Sequence, residues 1–127
     1  MPPRAPPAGR APRRGHHHVL IFNSSGTQIG QIGVTDEAGT DTAHLHGPQH
    51  LAVYDGKLYI ADAGNNRVQI FNISAPATPV YVATLGVTDE SGWDVNHFNH
   101  PVGVAVDANY IYVADRWNQR VQIFNKA

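Results

Sequence analysis

Residues 33–72, GVTDEAGTDTAHLHGPQHLAVYDGKLYIADAGNNRVQIFN, return as 86–125, GVTDESGWDVNHFNHPVGVAVDANYIYVADRWNQRVQIFN, at an offset of 53, with 21 of 40 positions identical. No gap is needed to align them, and the hexamer RVQIFN stands unchanged at Arg67–Asn72 and Arg120–Asn125. A period of this size means one supersecondary unit copied along the chain, each copy burying an apolar face against its neighbour. A third, partial copy precedes them: HHHVLIFN (16–23) lies on NNRVQIFN (65–72) at an offset of 49, with His18 where the full copies have Arg. The triple histidine is therefore in register with the repeat and reads as the start of a strand.

Within the unit the pattern is short strands. HLAVY and VGVAVD come first, KLYIAD and YIYVAD second, RVQIF third, and PVYVATL fourth, matched earlier by TQIGQI. All are rich in β-branched and aromatic residues and are bounded by turn signals. Asp55-Gly56 between the first two strands has the composition of a primed hairpin turn, which needs positive φ. The first strand alternates Val with small residues (Val102, Gly103, Val104, Ala105, Val106), as suits a strand crowded near an axis. Four antiparallel strands with such an inner strand describe a propeller blade. The expected fold is all-β, a partial β-propeller of four-stranded antiparallel blades, about two blades of a six-bladed ring.

HPVGVAVD…YIYVADRWNQRVQIFN resembles the NHL repeat: Pro, an apolar strand, an apolar–Ala–Asp strand end, an Asn-containing turn, then Arg-Val-x-x-Phe. The resemblance covers residues 16–125. It implies a propeller, in this family usually six-bladed, whose variable loops carry the function.

The strands divide as a partial blade over 16–32, a full blade over 33–85 and a blade over 86–125 lacking its last strand, nine strands in all. An open wedge leaves apolar flanks in water. Two expectations follow, a piece of a longer propeller or three copies closing a ring, and the first is preferred because the leftover strand 18–23 has no place in a trimer. Homo-oligomerisation or further blades are thus the expected routes to closure. Residues 1–15, MPPRAPPAGRAPRRG, hold four Arg, no acid and five of the nine prolines, and read as a disordered tail. No apolar run follows Arg13 and Arg14, so no signal peptide is expected, no stretch is long enough to span a bilayer, and the compartment is left unassigned. The chain has no cysteine, which excludes disulfides and thiol chemistry.

Four charged residues recur at the strand-two to strand-three turn: Asp62 with Arg67, and Asp115 with Arg120. One pair per blade points to a structural, bidentate carboxylate–guanidinium contact across the turn rather than to catalysis. Asn65 and Asn118 read as turn residues. The histidines His44, His46, His97 and His100 fall in loops on one rim, with Asn65, Asn66 and Trp117, and imidazole is a common metal ligand. A relative of the same fold, the peptidyl-hydroxyglycine amidating lyase (a peptidylamidoglycolate lyase), is a zinc enzyme whose zinc histidine follows the repeat's proline. Gln49 and Val102 stand at the matching positions here, so the resemblance does not carry that site, and His50 falls one residue later. Asp36, Glu37 and Asp41, repeated as Asp89, Glu90 and Asp94, cluster carboxylates around a glycine but lack the EF-hand spacing for calcium.

The expected function is a non-catalytic propeller scaffold that binds a protein or small ligand through Trp93, Trp117, Asn66 and Gln119. The alternatives are a metal-dependent enzyme of the lyase type, holding zinc or calcium, and an RNA-binding propeller. Residues 16–127 hold five basic and ten acidic residues, net −5, which disfavours phosphate contacts. No cofactor is expected.

Overall fold

The computed structural model describes residues 17–126; the tail over 1–15 lies outside the described residues. Nine strands follow one another: β1 (His18–Phe22), β2 (Gln28–Gly33), β3 (Pro48–Tyr54), β4 (Lys57–Asp62), β5 (Arg67–Asn72), β6 (Val80–Gly86), β7 (Pro101–Val106), β8 (Tyr110–Asp115) and β9 (Arg120–Asn125). They form three antiparallel sheets in sequence order, β1-β2, β3-β4-β5-β6 and β7-β8-β9. The molecule is an all-β partial propeller, as the strand pattern predicts.

The turn chemistry is where the sequence puts it. Asp55 and Gly56 both take positive φ, 51° and 76°, the pair of values a primed turn needs between β3 and β4. Registers in the inner strands skip one residue at Gln49 and Val102, and those in the outer strands skip one at Ile29 and Val82. Such one-residue bulges sharpen the local twist. Gly86, at φ 88°, closes the middle sheet; a Cβ there would stand 2.7 Å from the Phe98 ring and 2.8 Å from the Asn66 carbonyl oxygen. Only glycine fits that close approach.

Alternation along each strand splits the middle sheet into two buried faces. Leu58, Ile60 and Phe71 pack with Ile32, Leu45 and Val19 toward the first sheet. Tyr59, Ala61, Val68 and Ile70 pack with Phe98, Val104, Ile111 and Val113 of the third. Burying each Val, Leu or Ile in this way contributes roughly 1.5–3 kcal/mol. Inner strands β3 and β7 run side by side, and His50 Nδ1 accepts a 3.3 Å hydrogen bond from the Val104 amide between them.

The repeated hexamer meets two environments. Val68 and Ile70 are 0% and 6% exposed, whereas Val121 and Ile123, at the same positions of β9, are each 62% exposed. Ile70→Ala should therefore lower the unfolding free energy by about 2–5 kcal/mol, and Ile123→Ala by no more than about 0.5 kcal/mol. Urea denaturation of the two variants tests this; equal losses would mean that the two hexamers share one environment in solution.

Candidate functional site

The site is built outward from a buried carboxylate. Asp62, 0% exposed, ends β4. Its Oδ1 accepts the His46 amide at 2.7 Å, and its Oδ2 accepts Asn65 Nδ2 at 2.9 Å and Arg67 Nε at 2.8 Å. Arg67 donates to Thr40 O (2.8 Å) and Thr88 Oγ1 (3.2 Å) through Nη1, and to Asp41 O (3.1 Å) and His44 O (2.8 Å) through Nη2. A guanidinium has five N–H donors, and here all are used. The second copy repeats the arrangement: Asp115 accepts the Asn99 amide, Asn118 Nδ2 and Arg120 Nε, and Arg120 donates to Trp93 O, Asp94 O and His97 O.

The bidentate fork expected from the sequence is not formed. Each Arg meets its Asp through Nε alone, because the other carboxylate oxygen is turned to the backbone amide of His46 or Asn99. The freed nitrogens hold the carbonyls of loops 34–47 and 87–100 instead. The pair thus ties a strand turn to the loop entering its own blade.

Each of these loops carries its own brace. His44 Nδ1 lies 2.6 Å from Asp41 Oδ1 and its Nε2 2.8 Å from Glu37 Oε1. His97 stands between Asp94 and Glu90 at the same two distances. Ionised carboxylates only accept, and a neutral imidazole has one donor, so both contacts form only with the imidazolium. The hydrogen bond to Asp41, then that to Glu37, raises the His44 pKa above its ordinary 6.5; for His97 the order is Glu90, then Asp94. Asp41 and Asp94 are lowered from 3.8, chiefly by their histidines.

The four candidate histidines do not converge. His44 and His97 are taken up in separate loops. The His46 ring meets that of His17 edge-on at 5.3 Å, and His100 stacks on Trp117, 4.6 Å between centroids at 12°. Among the described residues no three His, Asp or Glu side chains are arranged to hold a metal ion. Asp36 and Asp89 take positive φ in tight turns, Val34 to Glu37 and Val87 to Glu90. Asn66 and Gln119 cap short 3-10 turns (Ala63–Asn65, Arg116–Asn118) in the left-handed region. The Asn66 amide oxygen accepts the His100 backbone N–H at 2.8 Å, clasping one blade to the next. Trp93 and Trp117 are 81% and 62% exposed. Sequence reasoning missed the imidazole brace, although its signal was present: Glu, Asp and His recur at 37, 41, 44 and at 90, 94, 97.

The family profile of the NHL repeat matches residues 45–71 and 98–124, the spans that hold both Asp–Arg pairs. This is an NHL-repeat chain. It is 34% identical over 121 residues to NHL repeat-containing protein 3 of Mus musculus, and 33% identical to its Homo sapiens namesake. Each match covers 87% of this chain and 32% of the relative, so the chain spans about a third of the length of these curated relatives. In fold it is similar to an auxiliary nutrient binding protein from Bacteroides thetaiotaomicron VPI-5482, with a TM-score of 0.64 and 18% identity over 90% of this chain and 34% of that one.

Two outcomes follow for the NHL repeats. Asp62→Ala leaves Arg67 buried beside an absent carboxylate and should cost about 3–5 kcal/mol; denaturation of the variant within 1 kcal/mol of the parent (about fivefold in the folding equilibrium) would contradict the network. The second concerns pH. A histidine pKa raised on folding contributes stability that is complete below 6.5 and is lost as pH rises through the raised value. The lowered Asp41 and Asp94 contribute above 3.8, and that part is lost as pH falls through their lowered values. Stability should therefore fall as pH rises past the folded histidine pKa, and His44→Gln with His97→Gln should flatten the decline. Thermal melts across pH check this.

Proposed function

We propose that this NHL-repeat chain is a non-catalytic binding scaffold whose contact surface is the loop-bearing rim. The observation that carries the reading is the pairing of exposure with bracing. Trp93 and Trp117 stand in solvent on segments fixed by the Arg120 network and by the His100 stack. Exposed aromatics on pre-organised loops make good anchors, since little freedom is lost on contact. Gln119 lies exposed beside Trp117, while Asn66 serves through the clasp it makes to His100.

The partner is read as a protein or small ligand. Phosphate recognition draws on unengaged cations, and Arg67 and Arg120 spend their donors on loop carbonyls. A catalytic metal role for His44 and His97 finds no support in their geometry, since carboxylates take both ring nitrogens.

The sequence holds two tryptophans, Trp93 and Trp117, so one double substitution removes both exposed indoles. The chain and a Trp93→Ala, Trp117→Ala variant are immobilised in parallel, and retained molecules are quantified by mass spectrometry. Loss of specific ligands by about tenfold or more with the variant, equivalent to 1.4 kcal/mol, supports the rim. Retention of the same ligands by both proteins places binding elsewhere.

A further inference from the structure

We propose that Asn23 and Asn72 are acceptor sites for N-linked oligosaccharide. They lie away from the loop-bearing rim, and the proposal does not rest on the binding scaffold.

In every copy of the repeat the third strand runs out on asparagine, at Asn23, Asn72 and Asn125. In the first two copies a serine stands two residues further on, giving Asn23-Ser24-Ser25 and Asn72-Ile73-Ser74. Asparagine, any residue but proline, then serine or threonine is the acceptor sequence for N-linked sugar. The chain has nine asparagines, and the two that meet this requirement fall at one and the same place in the repeat. The third copy reads Asn125-Lys126-Ala127 and lacks the hydroxyl.

Both acceptors are held in one conformation. Asn23 Oδ1 accepts the Ser25 amide at 3.0 Å and the Ser25 hydroxyl at 2.8 Å. Asn72 Oδ1 accepts the same two groups of Ser74, at 2.8 and 2.6 Å. Each of these bonds uses the amide oxygen. Nδ2, the atom that would carry the sugar, donates to no atom of the described residues at either site and is open to solvent. Asn23, Ser24 and Ser25 are exposed at the tip of a hairpin, where the Asn23 amide donates to Thr27 O at 2.9 Å. Asn72 is half-buried, with Ser74 exposed beyond it. A glycosylated amide keeps its oxygen and one N–H, so the modification leaves both turns intact. Turn formation by itself does not call for this pair of residues. The same turn is made by Asp41 to Ala43, Asp94 to Asn96 and Asp107 to Asn109, with no hydroxyl at the second position. Strand β5 starts at Arg67 on the rim turn and ends at Asn72, about 17 Å further along. Sugar at that end leaves the rim uncovered.

The reaction is a substitution at the anomeric carbon of an oligosaccharide carried on a polyprenyl pyrophosphate, run by an oligosaccharyltransferase. Nδ2 forms the new bond to C1 as the C1–O bond to the pyrophosphate breaks. The lipid pyrophosphate leaves with the electron pair, and the Nδ2 proton passes to a base of the transferase.

The test places the full chain behind a cleavable secretion leader in a cultured eukaryotic cell. Treatment with a peptide N-glycosidase in isotopically heavy water turns each sugar-bearing asparagine into a labelled aspartate, which mass spectrometry should find at 23 and 72 and not at 125. Ser25→Ala should remove the label from 23 alone and Ser74→Ala from 72 alone, whereas Ser74→Thr, which keeps a hydroxyl, should retain it. Removing the sugar should leave the thermal midpoint within about 2 °C. Reading the label on cell-associated as well as secreted chain keeps poor export of a variant from hiding the result. The proposal is overturned if neither site is labelled, if Asn125 is labelled too, or if Ser74→Ala keeps its label. Label at one site alone overturns the assignment of the other, and a midpoint that rises well beyond that margin on removal would mean that the fold does not accommodate the sugar.

Discussion

The turn between β4 and β5 and the loops on either side of it depend on a guanidinium almost wholly removed from solvent. Arg67 is 1% exposed, and a charge taken that far from solvent is tolerable only when its donors are matched and its charge is paired. Asp62 supplies the charge, and Thr40, Thr88, Asp41 and His44 supply the remaining acceptors. Those acceptors come from both flanking loops, so the arginine converts a strand turn into the anchor of two connections. The carboxylate completes the circuit by holding the His46 amide with the oxygen that the arginine does not use. A bidentate fork would have taken one Nη2 donor from loop 34–47 and the Asp62 Oδ1 from the His46 amide.

The same network in the third sheet shows how far such a device depends on its neighbours. The Arg120 side chain is 29% exposed against 2% for Arg67, although each meets its carboxylate through Nε at nearly the same distance, 2.9 and 2.8 Å. Sequence alone determines the local circuit, and the adjacent sheet determines how dry it is. The apolar positions obey the same rule more strongly, since Val68 and Val121 differ only in what lies over them. In a stacked array each unit's stability is partly a property of the contact with the next. A hydrogen bond or ion pair in the last sheet is therefore worth less than its twin in the middle one, because solvent screens it.

How much of this could be read from the sequence follows from the range of each interaction. The strands, the Asp55-Gly56 turn and the antiparallel order were legible because they rest on alternation and on turn residues, both local. The pairing of Asp62 with Arg67 was legible because a hairpin brings the end of one strand to the start of the next. The form of that pairing was not, since the competing partners are backbone atoms of His46 and Thr40, and backbone atoms leave no letter in the sequence. The role of His50 was hidden for a related reason: its acceptor nitrogen meets the Val104 amide from the neighbouring blade. The imidazole braces were readable in principle, as the spacing recurs intact in both copies, but a histidine among carboxylates suggests a metal site as readily as an ion pair. Only the geometry, with each ring nitrogen facing one carboxylate, separates the two.

The two exposed tryptophans are held by different physics, and this gives the rim an internal asymmetry. Trp93 lies between Glu90 and Asp94, the carboxylates that grip His97, and its own carbonyl accepts from Arg120. Its position therefore depends on an imidazolium and weakens when that proton is lost. Trp117 is fixed by its amide on Asn99 O and by stacking on His100, whose backbone N–H is clasped by Asn66. None of those contacts requires a protonated imidazole. Proton loss thus loosens the segment that carries Trp93 while leaving the segment that carries Trp117 in place.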